Sequence, residues 1–442
     1  MSGIDQLITG KKVLVFGLGL QGGGQGDVRF LLRHNAEVKI TDQKSYAQLS
    51  TTLANLPADI QGTYGGHTMS DIDWADIILV NPGVPLSIPE LVYAAKLGKP
   101  LVSRTALFVK YCGIPVIGIT GTRGKSTTTE LIYRLLDSVF PGQILRGGNI
   151  PGVSDLELLD QLAGKKYAVL ELSSFQLEHF HASKISPQYA IVTNLYPDHL
   201  NRYATMAEYA AAKSAICNYQ SSTDITLVNA DNLTSAQIVS SASGKIIRYS
   251  AKDNPQGNFP HLPGQHNQEN MAAVSALAKI LQISNDDVVK TFTAYPGLPY
   301  RQETRAIISG VTYVNDTTAT TPTATLKALD TITTPIILVL GGAEKALPTQ
   351  ELFETIASCA HVRQVIVLGS LFNRVLNTAL QTSLAAKFAG RTIKMSEAVA
   401  LAHSLAKPGD TVLLSPGFAS FDLFQNEFDR GNQFNEAVAH IL

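Results

Sequence analysis

Residues Gly118 to Glu130 read GITGTRGKSTTTE and continue the apolar run Pro115-Val-Ile-Gly-Ile119. A strand, a glycine-rich turn and a helix succeed one another here. Lys125 and Ser126 stand at the helix start, and Leu131, Ile132, Leu135, Leu136 and Val139 recur on one face of Thr127–Val139. Backbone N–H groups of such a turn and helix start bind phosphate oxygens. Lys125 can reach the β- and γ-phosphates, and Ser126 can offer a hydroxyl to Mg²⁺. The strict pattern G-x-x-x-x-G-K-[ST] fails by one residue, because position 119 is Ile. The loop is the variant Thr120-Gly121-Thr122-Arg123-Gly124-Lys125-Ser126, running on into Thr127. ATP binding is the expectation, against a turn that only eases chain reversal.

Ligands of open α/β sheets lie beyond the carboxyl ends of the strands. The next strand, Tyr167–Leu170, is followed by Glu171. The strand Tyr189–Thr193 is followed by Asn194, Asp198 and His199. A carboxylate and an imidazole are thereby expected to converge on the phosphate loop. Glu171 suits Mg²⁺, which takes oxygen ligands. Taken alone, His199 reads as a structural histidine and Lys213 as a surface lysine. Asn267 and Asn270 are three apart, hence on one helix face, where amides suit the edge of adenine; capping is the plainer reading.

A second glycine-rich turn precedes this one. Residues 17 to 26, GLGLQGGGQG, follow Lys12–Phe16 with the spacing Gly17-x-Gly19-x-x-Gly22. That spacing ordinarily cradles a dinucleotide pyrophosphate, and Asp42 ends the second strand, as an NAD reading requires. Strands recur between helical patterns throughout: Glu37–Thr41, Ile77–Val80 and Pro100–Val102 in the first block; Val311–Val314, Pro335–Leu340, Val365–Leu368 and Thr411–Leu414 in the last. The expected fold is α/β with three domains. They are an N-terminal Rossmann-like domain (1–112), a central P-loop ATPase-like parallel sheet (113–302) and a C-terminal Rossmann-like domain (303–442). The Pro- and Gly-rich Ala294–Glu303 is the exit linker of the central domain.

The 442 residues exceed one ordinary core, and 45% hydrophobic with 16% charged residues fits a globular protein. A net charge of -1 gives no field for nucleic acid or acidic lipid. Three scattered cysteines, Cys112, Cys217 and Cys359, suggest neither disulfides nor a zinc site. The start lacks a signal-peptide layout, and no apolar run approaches a membrane span. A cytoplasmic location without membrane insertion is expected.

Taken together, the motifs resemble the Mur ligases. The matches are TGTRGKST, LELSSFQLE, TNLYPDHLNRY, YAAAKSAI, GQHNQENMAAV, GLPYRQE, VNDTTAT and LLSPGFASFDLFQNEFDRGNQF, in the family's order across nearly the whole chain. ELSSFQLE and SPGFASFD…RGNQF look most like the members that add glutamate to UDP-N-acetylmuramoyl-L-alanine. The resemblance implies an ATP-dependent amide ligase of peptidoglycan-precursor synthesis, acting through an acyl phosphate and releasing ADP and phosphate. It implies Ser126 and Glu171 on one Mg²⁺, His199 on a second, and Lys213 carbamylated to hold metal. It assigns Asn267, Asn270, Arg301 and Asp316 to ATP, alongside Gly121–Thr127. It makes the first loop a site for the UDP part of the substrate, with Leu20, Gln21, Asp42, Gln43, Asn81, Pro82 and Gly83, and lays Asn149 along the substrate.

Thr320, Lys345, Ser420 and Phe421 are implied for the amino acid, D-glutamate. A monomer is expected. Three residues depart from the family's pattern. Thr318 stands where lysine is frequent, Glu427 where an aromatic follows Asn426, and Tyr300 where histidine precedes Arg301. An unpaired Glu427 would repel a dicarboxylate. The alternatives are a related ligase with another amino acid or acceptor (L-glutamate, another Mur step, a polyglutamate-type reaction) and a non-catalytic nucleotide-binding protein.

Overall fold

The computed structural model describes residues 3–20, 22–199, 202–262, 264–343, 348–369, 383–420 and 422–441. They form two compact units, Met1–Tyr295 and Pro296–Leu442. The first unit holds two parallel sheets. One comprises β1 (Lys12–Phe16), β2 (Glu37–Asp42), β3 (Gln61–Tyr64), β4 (Ile77–Val80) and β5 (Leu101–Val102) in the order β3-β2-β1-β4-β5. The other comprises β6 (Val116–Thr120), β7 (Ile144–Gly148), β8 (Tyr167–Glu171), β9 (Tyr189–Val192), β10 (Ile225–Asn229) and β11 (Lys245–Tyr249), ordered β11-β10-β9-β6-β8-β7.

The second unit holds β12 (Glu303–Ile308), β13 (Val311–Asn315), β14 (Ile336–Gly341), β15 (Val362–Leu368), β16 (Phe388–Thr392) and β17 (Thr411–Leu414), ordered β12-β13-β17-β14-β15-β16. Only β12 runs antiparallel, against β13. Three sheets, parallel except for that edge, make the α/β class plain.

The central strands are apolar along their length because helices cover both faces. Ile117 and Ile119 of β6, Val169 and Leu170 of β8, and Ile191 of β9 are wholly buried. Each such side chain stabilises the fold by about 1.5–3 kcal/mol relative to exposure. Where the order reverses, around β1 in the first sheet and around β6 in the second, the carboxyl ends of neighbouring strands open a crevice. The sequence reading missed β3, β7, β11, β12 and β16, all of them edge strands, and the interior β10. Among the described residues no helix is long and apolar enough to cross a membrane.

Candidate active site

The turn after β6 is held from two sides. Gly124 caps the helix Lys125–Val139 at φ 81°, a left-handed conformation that favours glycine. A Cβ there would stand 2.2 Å from Asn270 Oδ1, so the helix Gln265–Ile280 packs directly on the loop. From the β9 side, Thr122 N–H donates to Asn194 O (3.0 Å) and Arg123 N–H to Asn194 Oδ1 (2.8 Å). Thr193 Oγ1 donates to Arg123 O (2.7 Å). Sequence reasoning gave Thr193 and Asn194 no role; their place at the end of a buried strand beside the loop was the available signal. Ser126 and Thr127 lie in the helix's first turn, part-exposed, where N–H groups have no partner within the helix.

Two amines meet on one carbonyl oxygen. Lys125 Nζ donates to Gly121 O and Thr122 O, both at 3.1 Å. Lys213 Nζ, from the helix Met206–Ser214, donates to the same Gly121 O at 3.0 Å. Lys213 is only 1% exposed, and its amine lies 4.6 Å from the ring centroid of Tyr209. Burial, and then the Lys125 ammonium, hold Lys213 well below the usual lysine range, against the opposing pull of Asp198 and Glu171. Burial and the Lys125 charge both push the amine toward its neutral form.

Glu171 closes β8 and is buried. Asn149 grips it twice, through N–H to Glu171 O (2.8 Å) and Nδ2 to Oε1 (3.1 Å). His199 takes a left-handed φ of 54°. Its ring stands edge-on to Phe175 (5.0 Å) and Tyr209 (5.9 Å), with Nε2 3.9 Å from the Asp198 carboxylate. Burial lowers its pKa; Asp198 opposes, and Lys213, Lys125 and Arg202 lower it further. Arg202 stacks on Phe175 at 4.3 Å, pairs with Glu178 (Nε 3.1 Å, Nη2 2.6 Å) and donates to Gly83 O at 3.3 Å. The loop bearing His199 is thus tied to the first sheet's turn.

Among the described residues, no three His, Cys, Asp or Glu side chains gather into a metal cage. Mg²⁺ needs only one or two protein ligands when phosphate oxygens and water supply the rest. The Glu171 carboxylate and Ser126 hydroxyl fit that demand, and a neutral His199 keeps a lone pair. Lys213 fits only if its amine becomes an oxygen donor.

Asn267 and Asn270 do share a helix face, with Asn270 Nδ2 donating to Asn267 Oδ1 (3.2 Å). Asn270 Oδ1 also accepts from Thr128 Oγ1 (3.3 Å), so this amide braces the phosphate-loop helix.

At the first sheet, Asp42 ends β2 and is nearly buried. Its carboxylate accepts from Gly19 N–H (3.1 Å) and Lys44 N–H (2.8 Å), so it shapes the glycine turn. Leu20 is part-exposed and Gln43 exposed at the rim. Asn81, Pro82 and Gly83 form the turn after β4, with Asn81 Oδ1 accepting from Gly83 N–H (3.0 Å). Gln21 lies outside the described residues.

In the second unit, Asp316 is buried, accepting from Gln302 N–H (3.2 Å) and Ser415 Oγ (2.8 Å). Burial pushes its carboxyl up to about 7. Arg301 is exposed, and its charge opposes that rise. Thr320 sits two residues before the helix Pro322–Thr331, whose N-cap is Thr321. Ser420 Oγ is buried with no hydrogen-bond partner among the described residues. Lys345 and Phe421 lie outside the described residues.

A residue that sequence reasoning missed organises this end of the sheet. Arg430, fully buried, donates to Thr317 Oγ1 (3.0 Å), Thr317 O (2.9 Å), Phe418 O (3.1 Å) and Gly341 O (3.4 Å). One guanidinium therefore ties the ends of β13, β17 and β14. Two of the departing positions interlock nearby. Thr318 Oγ1 donates to Tyr300 O (2.9 Å), Tyr300 OH to Asn432 Oδ1 (2.6 Å), and Tyr300 packs edge-on to Phe428 (5.6 Å). Glu427 opens the helix Glu427–Ala439, where the helix dipole and the positive Arg430 both favour an anion.

Comparison with known families follows the same order along the chain. The Mur ligase MurD-like N-terminal domain matches residues 11–103, the Mur ligase middle domain residues 119–260, and the Mur ligase glutamate ligase domain residues 300–418. The chain belongs to the Mur ligase family. It is 34% identical to UDP-N-acetylmuramoylalanine–D-glutamate ligase of Roseiflexus sp. (strain RS-1), over 98% of this chain and 99% of that one. The enzyme of the same name from Symbiobacterium thermophilum is 32% identical over 97% and 98%. Among solved structures, UDP-N-acetylmuramate–alanine ligase MurC of Thermotoga maritima shares the fold at TM-score 0.62 and 18% identity, covering 98% of this chain and 100% of that one. MurF of the same organism, in complex with ADP, shares it at 0.57 and 16%, covering 99% and 97%. As a Mur ligase the protein is an ATP-dependent, amide-forming enzyme of peptidoglycan-precursor synthesis.

Proposed function

We propose that this Mur ligase joins D-glutamate to UDP-N-acetylmuramoyl-L-alanine. The observation that carries the reading is the meeting of the Lys125 and Lys213 amines on the Gly121 carbonyl, with the Glu171 carboxylate and the His199 ring near enough to interact electrostatically with those lysines. It is supported by whole-length similarity to enzymes named for that reaction. Residues 1–112 take the UDP moiety, 113–302 the ATP and 303–442 the amino acid. Leu20, Gln21, Asp42, Gln43, Asn81, Pro82 and Gly83 take the nucleotide end of the substrate, and Asn149 lies along its length. Gly121–Thr127, Asn267, Asn270, Arg301 and Asp316 serve ATP.

The substrate carboxylate oxygen attacks the γ-phosphorus, the bond to the β-phosphate oxygen breaks, and ADP leaves. The glutamate nitrogen then attacks the acyl carbon. A C–N bond forms, the C–O bond to phosphate breaks, and the amine loses its proton. Both steps concentrate negative charge, so N–H donors and cations are the needed catalysts. Lys125 moves from its two carbonyl partners to the phosphates, and the N–H groups at the start of helix Lys125–Val139 face them. Ser126, Glu171, His199 and a carbamylated Lys213 would hold two Mg²⁺, which would supply charge neutralisation.

The depressed Lys213 amine suits it to carbamylation. Its lone pair attacks CO₂, a C–N bond forms, and one proton is released to give an anionic two-oxygen ligand. Thr320, the buried Ser420 hydroxyl, Lys345 and Phe421 receive the amino acid. The protein acts as a monomer in the cytoplasm.

The test is phosphate release with ATP, UDP-N-acetylmuramoyl-L-alanine and each amino acid in both enantiomers. Release that needs all three substrates, with D-glutamate preferred and ADP as co-product, is expected. Release without an amino acid would sink the ligase reading. AMP would sink the acyl-phosphate route, and preference for L-glutamate the stereochemistry.

A further inference from the structure

The turn Gly147–Gly152 carries Asn149, and its support comes from a buried aspartate that the reaction itself does not use. Asp155 is 0% exposed and opens the short helix Asp155–Leu158. Its Oδ1 accepts from Gly148 N–H at 2.7 Å, and its Oδ2 accepts from the hydroxyl of Thr105. Thr105 belongs to the helix Arg104–Tyr111, which follows the first sheet, and its Oγ1 accepts in turn from Gln176 Nε2 at 3.0 Å. The residue after Gly148 is Asn149, which holds both the backbone and the side chain of Glu171. Gly148 itself has φ 89°, and a Cβ on it would fall 2.1 Å from Glu171 O, so the turn lies hard against β8.

The neighbouring aspartate repeats the arrangement toward the glycine turn of the first sheet. Asp27, in the helix Gly23–Arg33, accepts from Ser154 Oγ (2.7 Å) and pairs with Arg104 (3.1 Å). A Cβ on Gly22 would lie 3.1 Å from Gly152 Cα. Arg104 and Thr105 thus hold, through two buried carboxylates, the helix behind the UDP loop and the turn that bears Asn149.

We infer that Asp155 is a positioning residue for the UDP substrate: by fixing Gly148 to Thr105, it sets Asn149 against Glu171 in register with the glycine turn of the first sheet. The inference rests on the proposed substrate. Asp155 hydrogen-bonds to no phosphate-loop residue and touches the ATP side only at second hand, through Asn149 and Glu171, so its loss falls mainly on the UDP substrate. Losing a buried charge-assisted hydrogen bond at this pivot raises the KM for the UDP substrate about tenfold or more, and the KM for ATP by much less.

The experiment compares wild type, Asp155→Ala, Asp155→Asn and Thr105→Val as full chains. KM is measured for UDP-N-acetylmuramoyl-L-alanine and for ATP, and calorimetric Kd for the UDP substrate alone. Asp155→Asn keeps the acceptor for Gly148 N–H and is expected within about twofold of wild type, while Asp155→Ala and Thr105→Val weaken UDP-substrate binding selectively. If Asp155→Ala fails to fold, Thr105→Val, which removes one hydroxyl and little volume, carries the same selective shift. Lowered Tm with both KM values unchanged overturns the positioning role, as does an equal rise in both. A wild-type protein that neither binds nor turns over the UDP substrate overturns the proposed function and this inference with it. Normal wild-type turnover with unaltered variants overturns this inference alone.

Discussion

Replacing Arg430 with methionine keeps an apolar stem and removes the guanidinium that joins three strand ends. Four contacts go: Thr317 Oγ1, Thr317 O, Phe418 O and the longer one to Gly341 O. The acceptors left behind are buried, where an unsatisfied polar group costs about 1–3 kcal/mol. Relief of the guanidinium's own desolvation, which pushes Arg430 down to about 10, offsets part of that loss. The net destabilisation expected is about 3–5 kcal/mol. With a urea slope of about 2 kcal/mol per molar, the midpoint of the second unit falls by about 2 M. The two units can be read separately, because the chain's single tryptophan, Trp74, lies in the first. Far-UV circular dichroism should show the early transition of Arg430→Met while Trp74 fluorescence keeps its wild-type midpoint. A dichroism midpoint within about 0.5 M of wild type would refute the argument that these carbonyls depend on Arg430.

Other consequences are open to direct measurement. Lys213→Ala should abolish turnover and regain part of it with a short carboxylic acid or excess bicarbonate; undiminished phosphate release would remove the carbamate. Gly124→Ala puts a methyl group 2.2 Å from Asn270 Oδ1 at a left-handed φ. It should weaken ATP binding more than about tenfold and leave the UDP substrate's Kd alone, which calorimetry can compare. Burial raises the carboxyl of Asp155 to about 6 and that of Asp316 to about 7. Their folded forms bind protons more tightly than the unfolded chain. Their contribution to stability is therefore full below pH 3.8 and is lost as pH rises through 6 and 7. Asp316→Asn should flatten that decline by up to about 4 kcal/mol between pH 4 and 7, visible in urea midpoints at each pH.

The central strands were legible because burial on both faces leaves an unbroken apolar run, as in Val116–Ile119 and Ile336–Leu340. The edges were not. Gln61–Tyr64 and Phe388–Thr392 face solvent on one side and carry Gln, Thr, Gly and Arg, so they do not stand out from loops. Gly124-Lys125-Ser126 and the residues just past each strand pointed to the proposed phosphate site, since loop chemistry and strand ends are local in sequence. The contacts that hold the site together are not local. Thr193 with Arg123, Asp155 with Thr105, and Arg430 with Thr317 span 70, 50 and 113 positions. A single sequence carries no sign of such pairs.

The contacts among Tyr300, Thr318, Phe428 and Asn432 make these positions mutually dependent. Exchanging Tyr300 alone for histidine removes the hydroxyl that bonds Asn432 and the ring that packs on Phe428, and exchanging Thr318 alone for lysine leaves the Tyr300 carbonyl only the longer bond from the backbone N–H of residue 318 (3.3 Å). Each single swap exchanges one defect for another, so the effects of joint replacement will not sum. A residue carried over singly from another member of the family meets neighbours fitted to a different side chain, so this corner is best exchanged as a unit.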